Sequence, residues 1–292
     1  MRVLVVRDSP GGTVERVVHR QAGTRLGEGL RNGGTLAPAA VERTLAAARE
    51  FAAVAHELSS TLACIATSAV RRADDGAAFG AAVRHVTGAP LQVLSGEEEA
   101  VASYRGATYG ATHDGRRIAV LDIGGGSTEC AVGCDGSLES ARSLEIGSVR
   151  LAECFPALLG REPGPSARAA AVEARAFVDD MLAPLRDVGE IAELRCVAGT
   201  PLTIAAIIAG THVDAVSGSS LTREDLDATI ERLLDLHVDE RRALRGMLPQ
   251  RADIIVGGAL VLSEAMRTLG MERGRLEEND LLLGYLLAPP TG

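Results

Sequence analysis

The chain has 292 residues, of which 46% are hydrophobic and 24% are charged, and its formal net charge is −9. This balance is that of a globular protein and excludes a chain that is mainly disordered. All 30 basic residues are Arg. The absence of Lys excludes Lys Schiff-base chemistry and a P-loop, and the acidic balance argues against a general nucleic-acid-binding surface.

The chain has five Cys, an odd number in a protein that is not small, so a disulfide framework is not expected. The apolar run at the N-terminus is too short for a signal peptide, and no stretch approaches the ~20 apolar residues of a membrane span. We therefore expect a cytoplasmic protein with no membrane or nucleic-acid partner.

Hydrophobic periodicity and turn-forming residues define the elements of the first half of the chain. The predicted elements are a hairpin of strands 3–6 and 14–19, a helix over 38–57, a strand over 62–66, a helix over 75–87, a strand over 91–94 and a helix from 95. Residues 110–117 are polar and rich in turn formers. We place the domain boundary there, which gives domains 1–116 and 117–292.

The second half repeats this order of elements after one additional strand at its start. The predicted elements are strands 118–123, 128–132 and 138–144, a helix over 166–187, a strand over 194–198, helices over 201–208, 221–236 and 251–269, a short strand over 274–277 and a terminal helix. The pattern predicts an α/β fold with two lobes, each a mixed sheet flanked by helices, and a ligand site in the cleft between them.

The strongest chemical signal is the string over 120–129, in which Gly124, Gly125 and Gly126 separate two apolar strands. Three glycines allow backbone N–H groups to converge on an anion, since no Cβ blocks its approach. Asp122 at the end of the first strand would repel that anion unless a cation lay between them. Glu129 would point to the same region across the hairpin. The alternative is a Gly-rich turn with a solvated Asp.

A second string, residues 95–100, follows a predicted buried strand and opens a helix with three glutamates. Negative charge in the first turn of a helix is favoured by the helix dipole, and that alone would account for it. Glu99, however, has small apolar neighbours. A partly desolvated carboxylate there could act as a general base on water.

Weaker signals lie at three other junctions. The hydroxyls and Arg71 of residues 67–72 could cradle a phosphate or form a capping turn. Gly199 and Thr200 lie at a strand-to-helix junction, which is an anion-binding geometry. Residues 147–150 could equally be a surface loop.

Six strings together resemble the exopolyphosphatase/guanosine pentaphosphate phosphohydrolase family, within the actin-like ATPase and sugar-kinase superfamily. They occur in family order and cover about 60–287: TSAVRRA (67–73), LSGEEEA (94–100), LDIGGGSTE (121–129), EIGSVRL (145–151), VAGTPLTIAAI (197–207) and ADIIVGGALVLSEAM (252–266).

The resemblance implies two ribonuclease H-like lobes, a homodimer, and Mg²⁺-dependent hydrolysis of a terminal phosphoanhydride in polyphosphate or guanosine pentaphosphate. A degenerate phosphate-binding regulator is the non-enzymatic alternative. The implied roles are Glu99 as the water-activating base, Asp122 and Glu129 as metal carboxylates, and, as phosphate-binding residues, Arg71, Gly124, Gly125, Gly126, Ser127, Gly199 and Thr200.

The resemblance also implies a strand and a first phosphate loop ahead of residues 3–6, and this sequence does not contain them. We therefore expect the first lobe to lack its first strand. A start codon placed too late explains this better than a true truncation.

Overall fold

The computed structural model describes residues 1–9, 13–30 and 34–288. These residues form two compact units, Met1–Ser95 and Gly96–Gly292. The division differs from the predicted boundary at 116/117. The helix after residue 95 packs against the strands of the second unit and against the terminal helix, so it belongs to that unit although it precedes the polar turn.

The first unit contains four strands and three helices within its described residues. They are β1 (Arg2–Ser9), β2 (Thr13–Gln21), α1 (Pro38–Glu57), β3 (Cys64–Ala66), α2 (Ser68–Arg72), α3 (Gly76–Thr87) and β4 (Leu91–Val93). The predicted hairpin and the predicted helix over 38–57 are confirmed. Pro38 stands in the first turn of α1, where its missing N–H costs nothing, and Gly88 ends α3 at φ 78°.

The strands of this unit form two separate pairs: β1 and β2 are antiparallel, while β3 and β4 are parallel. Each pair has its own hydrophobic cluster. One cluster joins Val3 and Val5 to Phe51 of α1, and the other centres on Val70, Phe79 and neighbouring side chains. The described residues of this unit contain no strand that joins the two pairs.

The second unit is built on one mixed sheet with the strand order β7-β6-β5-β8-β10-β9. Its elements are α4 (Gly96–Ala107), β5 (Arg117–Ile123), β6 (Thr128–Cys134), β7 (Ser137–Leu144), α5 (Ser148–Cys154), α6 (Pro165–Met181), β8 (Glu193–Val197), α7 (Gly199–Ala209), β9 (Ser220–Thr222), α8 (Arg223–Leu234), α9 (Val238–Ala243), α10 (Ile255–Thr268), β10 (Arg273–Leu276) and α11 (Leu281–Leu286). The strands β5, β6 and β7 form an antiparallel meander, and β8 is parallel to β5.

The largest core cluster of the described residues lies in this unit, around α10. Every residue of α10 from Ile255 to Met266 is buried, as a largely apolar helix predicts, and the buried set includes Ser263 and Glu264. On another side of the sheet, α4 packs with α11 at Gly106 and Gly284. A Cβ on Gly284 would overlap the carbonyl oxygen of Ala102, so the two backbones touch and α4 has no freedom to slide. Within the described residues, no helix combines the length and apolar character needed to cross a bilayer.

Candidate active site

The β5–β6 hairpin places two carboxylates side by side. Asp122 and Glu129 are directly opposite each other in the antiparallel register, and both are buried, with only 1% of Glu129 exposed. Like charges in cross-strand positions are destabilising. A fold that keeps such a pair out of water has placed it at a candidate functional site.

Each of these carboxylates receives hydrogen bonds from serine. Ser103 of α4 donates its hydroxyl to Oδ2 of Asp122 at 2.7 Å. Ser143 of β7, the cross-strand neighbour of Glu129, donates to Oε1 of Glu129 at 2.7 Å. Ser127 in the Gly-rich turn forms a further hydrogen bond with Glu129. These bonds fix the carboxylate orientations and leave other oxygen lone pairs unused.

Glu99 joins the pair as a third buried carboxylate. It lies in the first turn of α4, buried against the sheet side of the helix. Burial, followed by the negative charges of Glu99 and Asp122, raises the pKa of Glu129 well above its usual value, against the lowering effect of the hydrogen bonds from Ser143 and Ser127. Glu99 and Asp122 therefore both lie within electrostatic range of Glu129, and the predicted roles of the three carboxylates stay predictions.

These carboxylates are not a closed metal cage. Among the described residues, no group of three or more His, Cys, Asp and Glu side chains is close enough to hold a metal ion. A cation here would be held by at most two carboxylates and would complete its coordination with oxygen atoms of water or of a ligand.

In the Gly-rich turn between β5 and β6, the carbonyls of Gly124 and Gly125 are engaged, while the amides of residues 125–127 are open. The carbonyl of Gly124 accepts from the amide of Ser148 at 3.0 Å and from its hydroxyl at 3.2 Å, and the carbonyl of Gly125 accepts from the amides of Val149 and Arg150. Within the described part of the chain, the amides of Gly125, Gly126 and Ser127 donate no hydrogen bond. Successive free N–H groups in a turn can bind an anion.

The first turns of three helices meet behind this turn. A Cβ added at Gly258 of α10 would lie 2.6 Å from Oγ1 of Thr200 in α7 and 3.1 Å from Cβ of Ser148 in α5. A Cβ at Gly257 would lie 2.8 Å from the carbonyl oxygen of Ser148. Only Gly–Gly permits this approach. The N-terminal ends of α7 and α10, where helix dipoles are positive, therefore lie beside Ser148, whose own amide is bonded to the Gly-rich turn.

The start of α7 has three unusual features. Ala198, which precedes the helix, has φ 71° and ψ −174°, a conformation that is costly for a residue other than Gly. The guanidinium of Arg251 lies where a Cβ on Gly199 would be. The hydroxyl of Thr200 is buried and, among the described residues, has no hydrogen-bond partner. Thr200 thus lies in the same cluster as the Gly-rich turn, and the predicted phosphate-binding role of Gly199 and Thr200 stays a prediction.

Arg71 belongs to the first unit. It lies on α2, and its Nη1 donates to the carbonyl oxygen of Leu94 at 2.7 Å. Its predicted contact with a substrate phosphate stays a prediction.

Some residues of this cluster were missed by the sequence analysis: Ser103, Ser143, Gly257, Gly258 and Arg251. For Ser103, the available signal was its position four residues after Glu99, on the same face of a helix. For the two glycines, the signal was an adjacent Gly pair inside an otherwise apolar helix.

Comparison with known proteins gives consistent results. A family model described as the Ppx/GppA phosphatase family matches residues 4–286. Exopolyphosphatase 2 of Mycobacterium tuberculosis is 34% identical over 294 residues, which cover 93% of this chain and 88% of that protein.

Solved structures match nearly the whole chain. The crystal structure of an exopolyphosphatase-like protein has a TM-score of 0.85 at 29% identity, and the match covers 98% of this chain and 94% of that one. An exopolyphosphatase from Cytophaga hutchinsonii shares the fold, with a TM-score of 0.87 at 21% identity over 98% of this chain and 92% of that one.

Proposed function

The chain belongs to the Ppx/GppA phosphatase family, and we propose that it is an exopolyphosphatase that releases orthophosphate from the end of inorganic polyphosphate in a Mg²⁺-dependent reaction. A relative with 34% identity over 93% of the chain carries the name exopolyphosphatase, which supports the choice of substrate.

The observation that carries the proposal is the meeting of open amides and buried carboxylates at one turn. The amides of Gly125 and Gly126 can donate to the oxygens of a terminal phosphate, and the converging helix N-termini strengthen the attraction for its negative charge. Asp122 and Glu129 flank the turn on its two strands. A phosphate bound here would meet both donors and carboxylates, which suits phosphoryl transfer.

The donor set fits Mg²⁺ held jointly with phosphate oxygens. Asp122 and Glu129 are the residues that would hold it, because Mg²⁺ usually takes one or two carboxylates and completes its shell with water and substrate phosphates. When bound, the ion offsets the negative charge of the phosphoanhydride. The ion would also offset the repulsion between Asp122 and Glu129, which explains why the fold keeps two buried carboxylates side by side.

Glu99 is the proposed general base. Its buried carboxylate would accept a proton from a water molecule as the water oxygen attacks the terminal phosphorus. The bond from that phosphorus to the bridging oxygen breaks, and the bridging oxygen leaves with the bonding electrons on a chain one phosphate shorter. Orthophosphate is the other product. The amides of the turn hold the transferred group in line, so most of the rate enhancement comes from positioning and electrostatics.

The test compares substrates on the purified chain. Phosphate release is measured from long-chain polyphosphate and from guanosine pentaphosphate at equal concentrations of terminal phosphate, with Mg²⁺ and with excess chelator. We expect release from polyphosphate that stops in chelator, with kcat/KM above that for guanosine pentaphosphate.

Three results would contradict the proposal. A higher kcat/KM for guanosine pentaphosphate would reassign the substrate. Undiminished release in chelator would remove the metal from the mechanism. Tight polyphosphate binding without release from either substrate would make the protein a phosphate-binding regulator.

A further inference from the structure

Unlike Thr108 and Thr203, Ser103 does not donate its hydroxyl to the carbonyl four residues earlier in the chain. A Ser or Thr inside a helix commonly donates to the carbonyl four residues earlier. Thr108, just beyond the end of the same helix, does so to Tyr104 at 2.8 Å, and Thr203 of α7 does so to Gly199 at 2.6 Å. Ser103 instead donates across to Oδ2 of Asp122 at 2.7 Å.

The position of Ser103 ties two functional carboxylates to one rigid element. Glu99 and Ser103 are four residues apart on α4, which places them on the same helix face, and Ser103 is only 1% exposed. Because Asp122 accepts from Ser103 through Oδ2, its other oxygen, Oδ1, is left for a ligand. Any rotation of Asp122 about its side chain would break this bond.

The helix that carries Ser103 is itself held in place. A Cβ on Gly106 would overlap the carbonyl oxygen of Asp280, and one on Gly284 would overlap that of Ala102, next to Ser103. Arg105 also donates from Nη1 to the carbonyl of Gly284 at 3.1 Å. The α4 backbone is therefore held in place by α11, so the Ser103 hydroxyl would not move with Asp122 if that side chain were displaced.

We propose that Ser103 is a positioning residue: its hydroxyl holds the Asp122 carboxylate in the orientation that presents Oδ1 to Mg²⁺. This rests on the proposed function in assigning Asp122 to the metal. Residues that hydrogen-bond metal-ligating groups typically change metal affinity or activity by about 10–100-fold when they are removed.

The experiment measures Mn²⁺ binding directly, by calorimetry with orthophosphate present, for the wild type and for Ser103→Ala. The structural control is Ser263→Ala. Ser263 is also buried in the second unit and also donates to an aspartate, Asp227, at 2.6 Å. We expect Ser103→Ala to bind Mn²⁺ about 10-fold more weakly and Ser263→Ala to bind it like the wild type. Ser103→Cys keeps the volume with a weaker donor and should fall between Ser and Ala.

A double-mutant cycle shows whether Ser103 acts through Asp122. In the Asp122→Asn background, adding Ser103→Ala should cause no further loss of Mn²⁺ affinity. In polyphosphate hydrolysis, Ser103→Ala should raise the Mg²⁺ concentration for half-maximal rate while KM for polyphosphate at saturating Mg²⁺ stays within about 2-fold.

The outcomes separate this inference from the proposed function. Wild-type Mn²⁺ affinity in a folded Ser103→Ala or Ser103→Cys variant, or an additive loss in the Asp122→Asn background, would overturn the role of Ser103 and leave the exopolyphosphatase proposal standing. The opposite result is also distinct: Ser103→Ala weakens Mn²⁺ binding, but the wild-type chain hydrolyses no polyphosphate. This result would support the positioning role of Ser103 and reject polyphosphate as the substrate.

Discussion

The two units of the chain contain similar strand pairs but assemble them differently. The antiparallel pair β1–β2 in the first unit has its counterpart in β6–β7 of the second, and the parallel pair β3–β4 has its counterpart in β8–β10. In the second unit, β5 lies between these pairs and joins them into one sheet. The described residues of the first unit contain no strand in that position.

The difference shows what the central strand contributes. Because β5 is hydrogen-bonded on both sides, to β6 and β8, its backbone is held on both edges where it presents a side chain. Asp122 lies near its end, and the Gly-rich turn follows directly. All the candidate residues except Arg71 lie in the second unit. We therefore expect substitutions around the turn in the second unit to change activity more than a matched substitution in the first unit.

The largest expected effect is that of Glu99→Gln, which removes the proposed general base of the second unit but keeps the shape of the side chain. The amide cannot accept the proton of the attacking water, so kcat should fall by about 10²–10⁴-fold, with KM for polyphosphate little changed. The matched control is Glu97→Gln, an exposed glutamate in the same helical turn. Equal kcat values for the Glu99→Gln variant and the wild type would assign Glu99 to favourable helix-end electrostatics alone.

The second prediction applies one substitution, Gly→Ala, to a helix in each unit. In α10, a Cβ at Gly258 would lie 2.6 Å from Oγ1 of Thr200, so Gly258→Ala must push apart the first turns of α7 and α10. We expect a loss of about 1–3 kcal/mol in the free energy of unfolding and about a 10-fold lower kcat/KM, because the Gly-rich turn loses its support.

In α3 of the first unit, a Cβ at Gly80 would lie 3.9 Å from Leu91, an ordinary contact. Gly80→Ala should therefore stabilise the protein by about 0.5–1 kcal/mol, through the lower entropy of the unfolded chain. Denaturant unfolding and polyphosphate kinetics measure both variants. Equal behaviour of the two would show that the contact at Gly258 does not support the turn.

The sequence allowed prediction of the parts of the site that are local along the chain. Asp122, the Gly-rich turn and Glu129 form one hairpin, and alternation and turn composition are enough to recognise it. Ser103 could not be found in this way. Its partner Asp122 is 19 residues away, and their contact depends on how α4 packs on the sheet.

The domain boundary and the strand β9 show the same limit. The polar stretch over 110–117 is a loop, as its composition indicates, but it joins α4 to β5 inside the second unit. The packing of α4 against the second unit places the helix there, and composition alone does not show that packing. The short strand Ser220–Thr222 lies at the predicted start of a helix, and only its pairing with β10 identifies it. Thr222 caps that helix by accepting from the amide of Asp225.

A smaller effect is expected from Glu129→Gln, which should stabilise the second unit while it reduces activity. The pKa of Glu129 is raised in the folded protein, mainly by burial and then by Glu99 and Asp122. Its ionisation therefore lowers stability progressively as the pH rises above its unfolded pKa, about 4.3. In metal-free buffer, the variant should melt a few degrees higher than the wild type at pH 7. The two should converge as the pH falls toward 4. A constant difference across this range would rule out ionisation of the Glu129 carboxyl as its cause.

The smallest effect needs no substitution and tests the comparison of the two units directly. In a central strand, amides on both edges are hydrogen-bonded, whereas a strand with one neighbour leaves every second amide unpaired. Hydrogen exchange should thus be uniformly slow along Ile118–Asp122 of β5. Along Val3–Asp8 of β1, slow and fast amides should alternate, because β2 is its one neighbour among the described residues. Amides near the irregular register at Val5 and Val6 are left out of the comparison. Uniform protection along β1 would mean that its second edge is paired in solution, and the two units would then share the same kind of sheet.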